Sequence, residues 1–155
     1  MLHTFETGLL WFLALGCGLM AGVYFAFSAF IMMSLSQAGP QAGVASMNAI
    51  NDVIVRTSFL PLFLGTSAAA VIAAILAALR WQGVDSLVVL AGAVIYIAGM
   101  FLVTTAFNVP LNNALAAEGE RVWADYLSDW TRWNHLRTAA SLIAAALFVD
   151  ALVAR

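Results

Sequence analysis

Gly8 to Met33 reads GLLWFLALGCGLMAGVYFAFSAFIMM, about 26 residues without a charged side chain. About 20 apolar residues in a helix are enough to cross the roughly 30 Å hydrocarbon core of a bilayer. This stretch alone predicts a membrane-spanning helix. Two further runs behave in the same way, Thr57 to Leu79 (about 23 residues) and Ser86 to Phe107 (about 22). A fourth, Leu136 to Val153, is shorter and carries Arg137 and Asp150 near its ends. It spans only with its flanks at the interfaces.

Composition agrees. The chain is 64% hydrophobic and 9% charged, against roughly 25% charged residues in a soluble domain. Its mean hydropathy is +0.97. The prediction is an all-α integral membrane protein, one domain over 1–155. It is expected to be a four-helix up-down bundle with spans near 8–33, 57–79, 86–109 and 134–153 and an amphipathic interfacial helix before the fourth. The partners expected are the lipid bilayer and an apolar aromatic or quinone-like small molecule, and a homo-oligomer is compatible. A bacterial inner (cytoplasmic) membrane is the expected location. The N-terminus has no positive region, and the first run exceeds a signal-peptide core of about 7–15 residues, so it reads as a retained span.

Charge excludes some partners and orients weakly. Net charge is -2 and all six basic residues are Arg, which is too few for a nucleic-acid stripe. Arg80 and Arg155 lie on one side of the predicted topology, and Arg56, Arg121, Arg132 and Arg137 on the other. The raw count puts the first and third loops inside. If Arg56 and Arg137 serve a site inside the membrane, the sides balance. The reading then leans to cytoplasmic termini.

Small residues recur every four positions at Ala14, Gly18, Gly22 and Ala26, and again at Ala69, Ala73 and Ala77. That spacing lets helices approach closely in lipid. Packing inside the bundle is the simpler account, and a dimer interface is the other. Pro61 is expected to kink the second span. Pro110 is expected to turn Val109 out of helix and free nearby carbonyls. The segment Ser36 to Gly43 reads as a turn before a helix restarts. From Glu118 to Trp133 an aromatic face (Trp123, Tyr126, Leu127, Trp130, Trp133) opposes a charged one. This is an interfacial amphipathic helix or a lid over a pocket.

The polar residues gather where the first and third loops should meet. Asn134, Arg137, Thr138 and Ser141 make one stripe on the fourth helix. Thr104, Asn108 and Asn112 make another on the third. Asn48, Asn51, Asp52 and Arg56 form a third, with Asp52 and Arg56 at ion-pair spacing. Ionisable groups within a membrane usually face a bundle interior or cavity. The expected pocket is lined by Asn51, Asn108, Asn112, Asn134 and Arg137, with Tyr24 and Trp133 as walls. Arg137 either anchors an oxyanion or snorkels to the interface. The Asn side chains either bind a carbonyl or cap helix ends.

No metal or cofactor is expected. The two histidines, His3 and His135, fall on opposite sides of the predicted topology, and the single Cys17 is a small buried hydrophobe. A haem held by His135 alone is the one alternative. Gly16-Cys-Gly18-Leu-Met-Ala21 mimics a dinucleotide fingerprint but follows no strand, and is rejected.

Phe107-Asn108-Val109-Pro110-Leu111-Asn112-Asn113, followed by Trp130-Thr-Arg-Trp133-Asn134-His135-Leu136-Arg137, resembles the anthrone oxygenase-like membrane family. Gly22-Val-Tyr24-Phe-Ala-Phe27 and Met47-Asn-x-Ile50-Asn51 are similar to it as well. The resemblance covers essentially the whole chain. It implies four helices and, for some members, oxidation of anthrones to anthraquinones by dioxygen without metal or flavin. Under it Arg137, Asn108 and Asn112 would stabilise an oxyanion, His135 would accept a proton, and Asn51, Asn134, Tyr24, Trp133 and Arg56 would bind substrate. The alternative is a non-catalytic membrane module that binds a lipid or quinone, or a subunit of a membrane complex.

Overall fold

The computed structural model describes residues 2–80 and 84–154. Arg155 and the side chain of His3 lie outside the described residues. All regular structure among these residues is helical. Helix α1 (Leu2–Ala26) runs through a π-helical turn (Phe27–Ile31) into α2 (Met32–Gln37). The chain reverses at Gly39, whose φ of 87° suits glycine, and Pro40 opens α3 (Pro40–Ile54). The expected turn and restart are therefore present. Helix α4 (Phe59–Leu79) follows, then α5 (Val84–Tyr96) and two π-helical stretches (Ile97–Leu102 and Thr104–Asn108). Next come α6 (Val109–Glu118), a short 3-10 turn and α7 (Trp123–Val153).

Three helical stretches are long and apolar enough to cross a membrane: Thr4–Gln37, Phe59–Leu79 and Asp85–Val153. The last contains both the α5–α6 run and α7. Helix α1 packs on α4 and α7, and α5 packs on the same two.

Both prolines depart from expectation. Pro61 sits in the first turn of α4, where its missing N–H would have no helical partner anyway, so it starts the helix and does not kink it. Pro110 does not end the third helix. It lies in the first turn of α6, directly after the π-helical stretch Thr104–Asn108. A proline ring clashes with the carbonyl one turn back, and widening that turn to π geometry makes room for it.

The segment before the fourth span also differs. It is the start of α7, a single helix of 31 residues. At 1.5 Å per residue that is about 46 Å, well beyond a bilayer core. Trp123, Tyr126 and Trp130 are neither an interfacial belt nor a lid, because all three are buried with Phe27, Met32, Met47 and Leu115 in a core of their own. A separate core around Leu13, Cys17, Met20, Ala70, Tyr96 and Phe148 fills the other half.

Ala69, Ala73 and Ala77 are buried as expected. The first-helix stripe is not: Gly18 and Gly22 are exposed, and a Cβ on either would touch nothing. Close approach occurs elsewhere. A Cβ on Gly16 would come within 2.5 Å of Thr66 Oγ1. One on Gly99 would collide with Ala140, and one on Gly43 with Trp123.

Candidate functional site

Between the two cores lies a polar layer centred on Arg137, which is only 5% exposed. Trp130, Asn134, Arg137 and Ser141 recur at helix spacing on the inward face of α7, and all four are buried. The guanidinium is held from three sides. Nη2 donates to Asn134 Oδ1 at 2.7 Å, and Nη1 to Thr104 Oγ1 at 3.4 Å. Its Cζ lies 4.3 Å from the Tyr24 ring centroid and 5.0 Å from that of Trp130. Arg137 therefore does not snorkel to bulk water.

Asn134 locks this arrangement to α1. Its Nδ2 donates to the Tyr24 carbonyl and to Ser28 Oγ, both at 2.7 Å. Ser28 also meets Thr138 Oγ1 at 3.2 Å. Neither Asn134 nor Asn112 caps a helix end; both lie within helices and link to a neighbouring one. Asn108 Nδ2 donates to the Trp130 carbonyl at 3.2 Å, and Tyr126 OH donates to Asn112 Oδ1 at 2.9 Å. The stripe Thr104, Asn108, Asn112 thus runs antiparallel along α7, matched to Arg137, Trp130 and Tyr126.

The backbone changes form around this layer. Ser28 lies in the first π-helical stretch and Met100, which accepts from Tyr24 OH at 3.5 Å, in the second. Thr104 and Asn108 lie in the third. π-Helical turns are uncommon and often occur at functional sites. Each shifts the side-chain phase of its helix beside the polar layer.

The two arginines considered for the site are placed differently. Arg137 forms no ion pair with a carboxylate among the described residues; the ion pairs found there are Arg80–Glu6 and Arg121–Glu118. Arg56 and Asp52 are both exposed. Arg56 lies in the turn between α3 and α4, and no bond joins the two side chains among those found.

Several polar atoms in or beside the layer are buried without a partner: Arg137 Nε, Asn108 Oδ1, Trp130 Nε1 and Asn51 Nδ2. A buried polar group left unpaired costs about 1–3 kcal/mol, so these atoms have unused capacity for a ligand or water. No cluster of three His, Cys, Asp or Glu suited to a metal occurs among the described residues.

The structure brings Asn108, Asn134, Arg137 and Tyr24 together, with Asn112 and Asn51 bordering them through Tyr126 and α3. It does not bring in His135, Arg56 or Trp133. His135 is exposed. Trp133 stacks on Phe107 with centroids 3.8 Å apart and planes 9° apart, on the outer side of α7. Trp130 takes the wall position assigned to Trp133. The signal for it was present, because Trp130 lies seven residues before Arg137 and so shares its face. Ser28 carried a similar signal, one turn beyond Tyr24.

The expected open pocket is closed around Arg137. Two cavities open elsewhere. One of about 320 Å³ lies at the far end of the bundle beside Glu6, Arg80 and Asp85. The other, about 360 Å³, is a shallow groove between Phe107, Pro110 and Trp133.

Fold and site define a helical membrane protein with a buried cationic centre enclosed by aromatic rings. The sequence model of the anthrone oxygenase family matches residues 53–147, and the chain belongs to that family. That range includes Asn108, Asn134 and Arg137 and leaves out Tyr24 and Ser28. Comparison with the curated proteins and with the solved structures gave no match.

Proposed function

We propose that the protein is a membrane-embedded oxygenase that oxidises a flat aromatic or quinol-like substrate with dioxygen, as the anthrone oxygenase resemblance implies. In this reading the helices form an up-down bundle in a bacterial inner membrane. The alanine-lined core lies within the lipid and the aromatic core at the interface. The observation that carries the proposal is the buried guanidinium of Arg137, which has no carboxylate partner among the described residues and keeps Nε free.

A cation enclosed by rings is costly unless a negative charge joins it. An anthrone supplies that charge when its CH2 group loses a proton to give the anthranolate oxyanion. Arg137 would stabilise this oxyanion, and a pre-aimed donor of that kind is worth about 10²–10³ in rate. Loss of the proton leaves the ring carbon electron-rich. Dioxygen adds there and takes up a proton to form a hydroperoxide. Loss of water across the C–H and O–O bonds leaves the second carbonyl. One anthrone and one dioxygen give one anthraquinone and one water.

His135 is exposed, so the proton acceptor in this scheme is water admitted with the substrate. That same position favours a second reading, a module that binds a quinone or lipid carbonyl at Arg137 without turnover. Quinone formation from anthrone by protein in lipid nanodiscs separates the two. The oxygenase reading expects turnover that falls at least about 100-fold in Arg137→Leu. Arg137→Lys should recover only part, since an ammonium lacks the planar fork. Native protein that forms no more quinone than empty discs, yet binds quinone through Arg137, would establish the second reading.

A further inference from the structure

We propose that the groove between Phe107 and Trp133 is an outer docking site for the substrate, a flat aromatic molecule bearing hydroxyl groups. This rests on the reading of Arg137 as the reaction centre. It adds a place where the substrate binds before it reaches that centre.

Four observations meet there. The groove is open, offers about 360 Å³ and is lined by Ala106, Phe107, Pro110, Leu111, Asp129 and Trp133. Small-molecule sites begin near 300 Å³. Its aromatic wall is a parallel pair, Phe107 on Trp133, backed by the Arg132 guanidinium 5.9 Å from the Trp133 centroid. A flat ring extends such a stack with offset geometry.

The polar groups of the groove accept hydrogen bonds. Asp129 presents a carboxylate at the rim. Pro110 has no N–H and so adds no donor to the groove. An occupant that satisfies acceptors must bring donors, and hydroxyl groups on a flat aromatic do so. A quinone without hydroxyls does not.

The groove also adjoins the buried layer. Phe107 precedes Asn108, and Asp129 precedes Trp130. These two inner neighbours are joined by the Asn108 Nδ2 to Trp130 carbonyl bond at 3.2 Å, and Trp130 lies against Arg137. Since Arg137 is enclosed, a substrate arriving from lipid or the interface needs a first position outside that partition.

The test uses full-length protein in phosphatidylcholine nanodiscs, titrated with a dihydroxyanthraquinone dye and corrected with empty discs. Native protein should bind it saturably. Trp133→Leu should weaken binding about tenfold. Asp129→Ala, which leaves the ring pair in place, should weaken it about five- to tenfold for the dye and not for the hydroxyl-free quinone. Arg137→Leu should keep the Trp133-dependent binding of the dye while losing anthrone oxidation.

Binding that is non-saturable, or that survives both Trp133→Leu and Asp129→Ala, overturns the proposal. Binding lost in Arg137→Leu and kept in Trp133→Leu also overturns it, by placing the dye at the buried centre. Saturable binding that requires Trp133, in a protein that oxidises no anthrone, sustains the groove and removes the oxygenase reading.

Discussion

The half of the molecule around Cys17 and the half around Trp123 are closed by different side chains. In the first, Ala70, Ala73, Ala93 and Ala144 fill the spaces between Leu13, Met20, Tyr96 and Phe148. In the second, Phe27, Trp123, Tyr126 and Trp130 pack with Met32 and Met47. The Trp123 and Tyr126 rings stack at 5.8 Å and those of Phe27 and Trp130 lie 5.5 Å apart. Lipid gives helices no hydrophobic reason to associate, so small residues that allow close approach do the work there. Large rings repay burial where water is the competing solvent. Arg137 sits where these two kinds of packing meet.

The comparison can be tested most severely with Trp130→Ala. It removes a core ring and one wall of the Arg137 enclosure, and should cost about 3–5 kcal/mol. Thermal unfolding in detergent measures this, and a cost below about 1 kcal/mol would show that the aromatic half is not a true core.

Asn134→Ala comes next. It strips Arg137 Nη2, Ser28 and the Tyr24 carbonyl of a partner in one step, at about 1–3 kcal/mol. Recovery of native stability in this variant would mean that water already carries those bonds.

Gly43→Ala and Gly99→Ala probe the two kinds of packing directly, one against Trp123 and the other against Ala140. Overpacking costs about 1–3 kcal/mol, offset by about 1 kcal/mol of helix propensity. A net loss is expected at both. Gly99→Ala should be the harsher, because the Cβ it meets belongs to a short, rigid side chain. A stabilised Gly99→Ala would show that the Ile97–Leu102 stretch and α7 can move apart.

The smallest effects belong to the surface. Arg80→Ala removes an ion pair whose side chains are 41% and 24% exposed, worth about 0.2–1 kcal/mol. Gly22→Leu should change stability by no more than about 0.5 kcal/mol, because nothing lies within 4 Å of a Cβ there. A lower melting point for Gly22→Leu would show that this face is covered by another molecule.

The sequence by itself determined the membrane class, because long charge-free runs have no other stable environment. It also determined the inward stripe on α7, because Asn134, Arg137 and Ser141 repeat at a period that only a helix satisfies. Three things were decided by tertiary structure. Whether Gly18 and Gly22 or Gly16 and Gly99 would meet a neighbour depends on how each helix is rotated, and small residues occur on several faces. Whether Pro110 would break its helix depended on the π-helical turn beside it, which a preference for one residue type does not encode. Trp130 and Trp133 are three residues apart on one aromatic face; which of them would reach Arg137 was settled by the approach of Phe27 from the π-helical turn after α1 and of Phe107 from the one before α6. Periodicity fixes which residues share a face, but the partner across that face is a long-range contact, formed only once the helices are assembled.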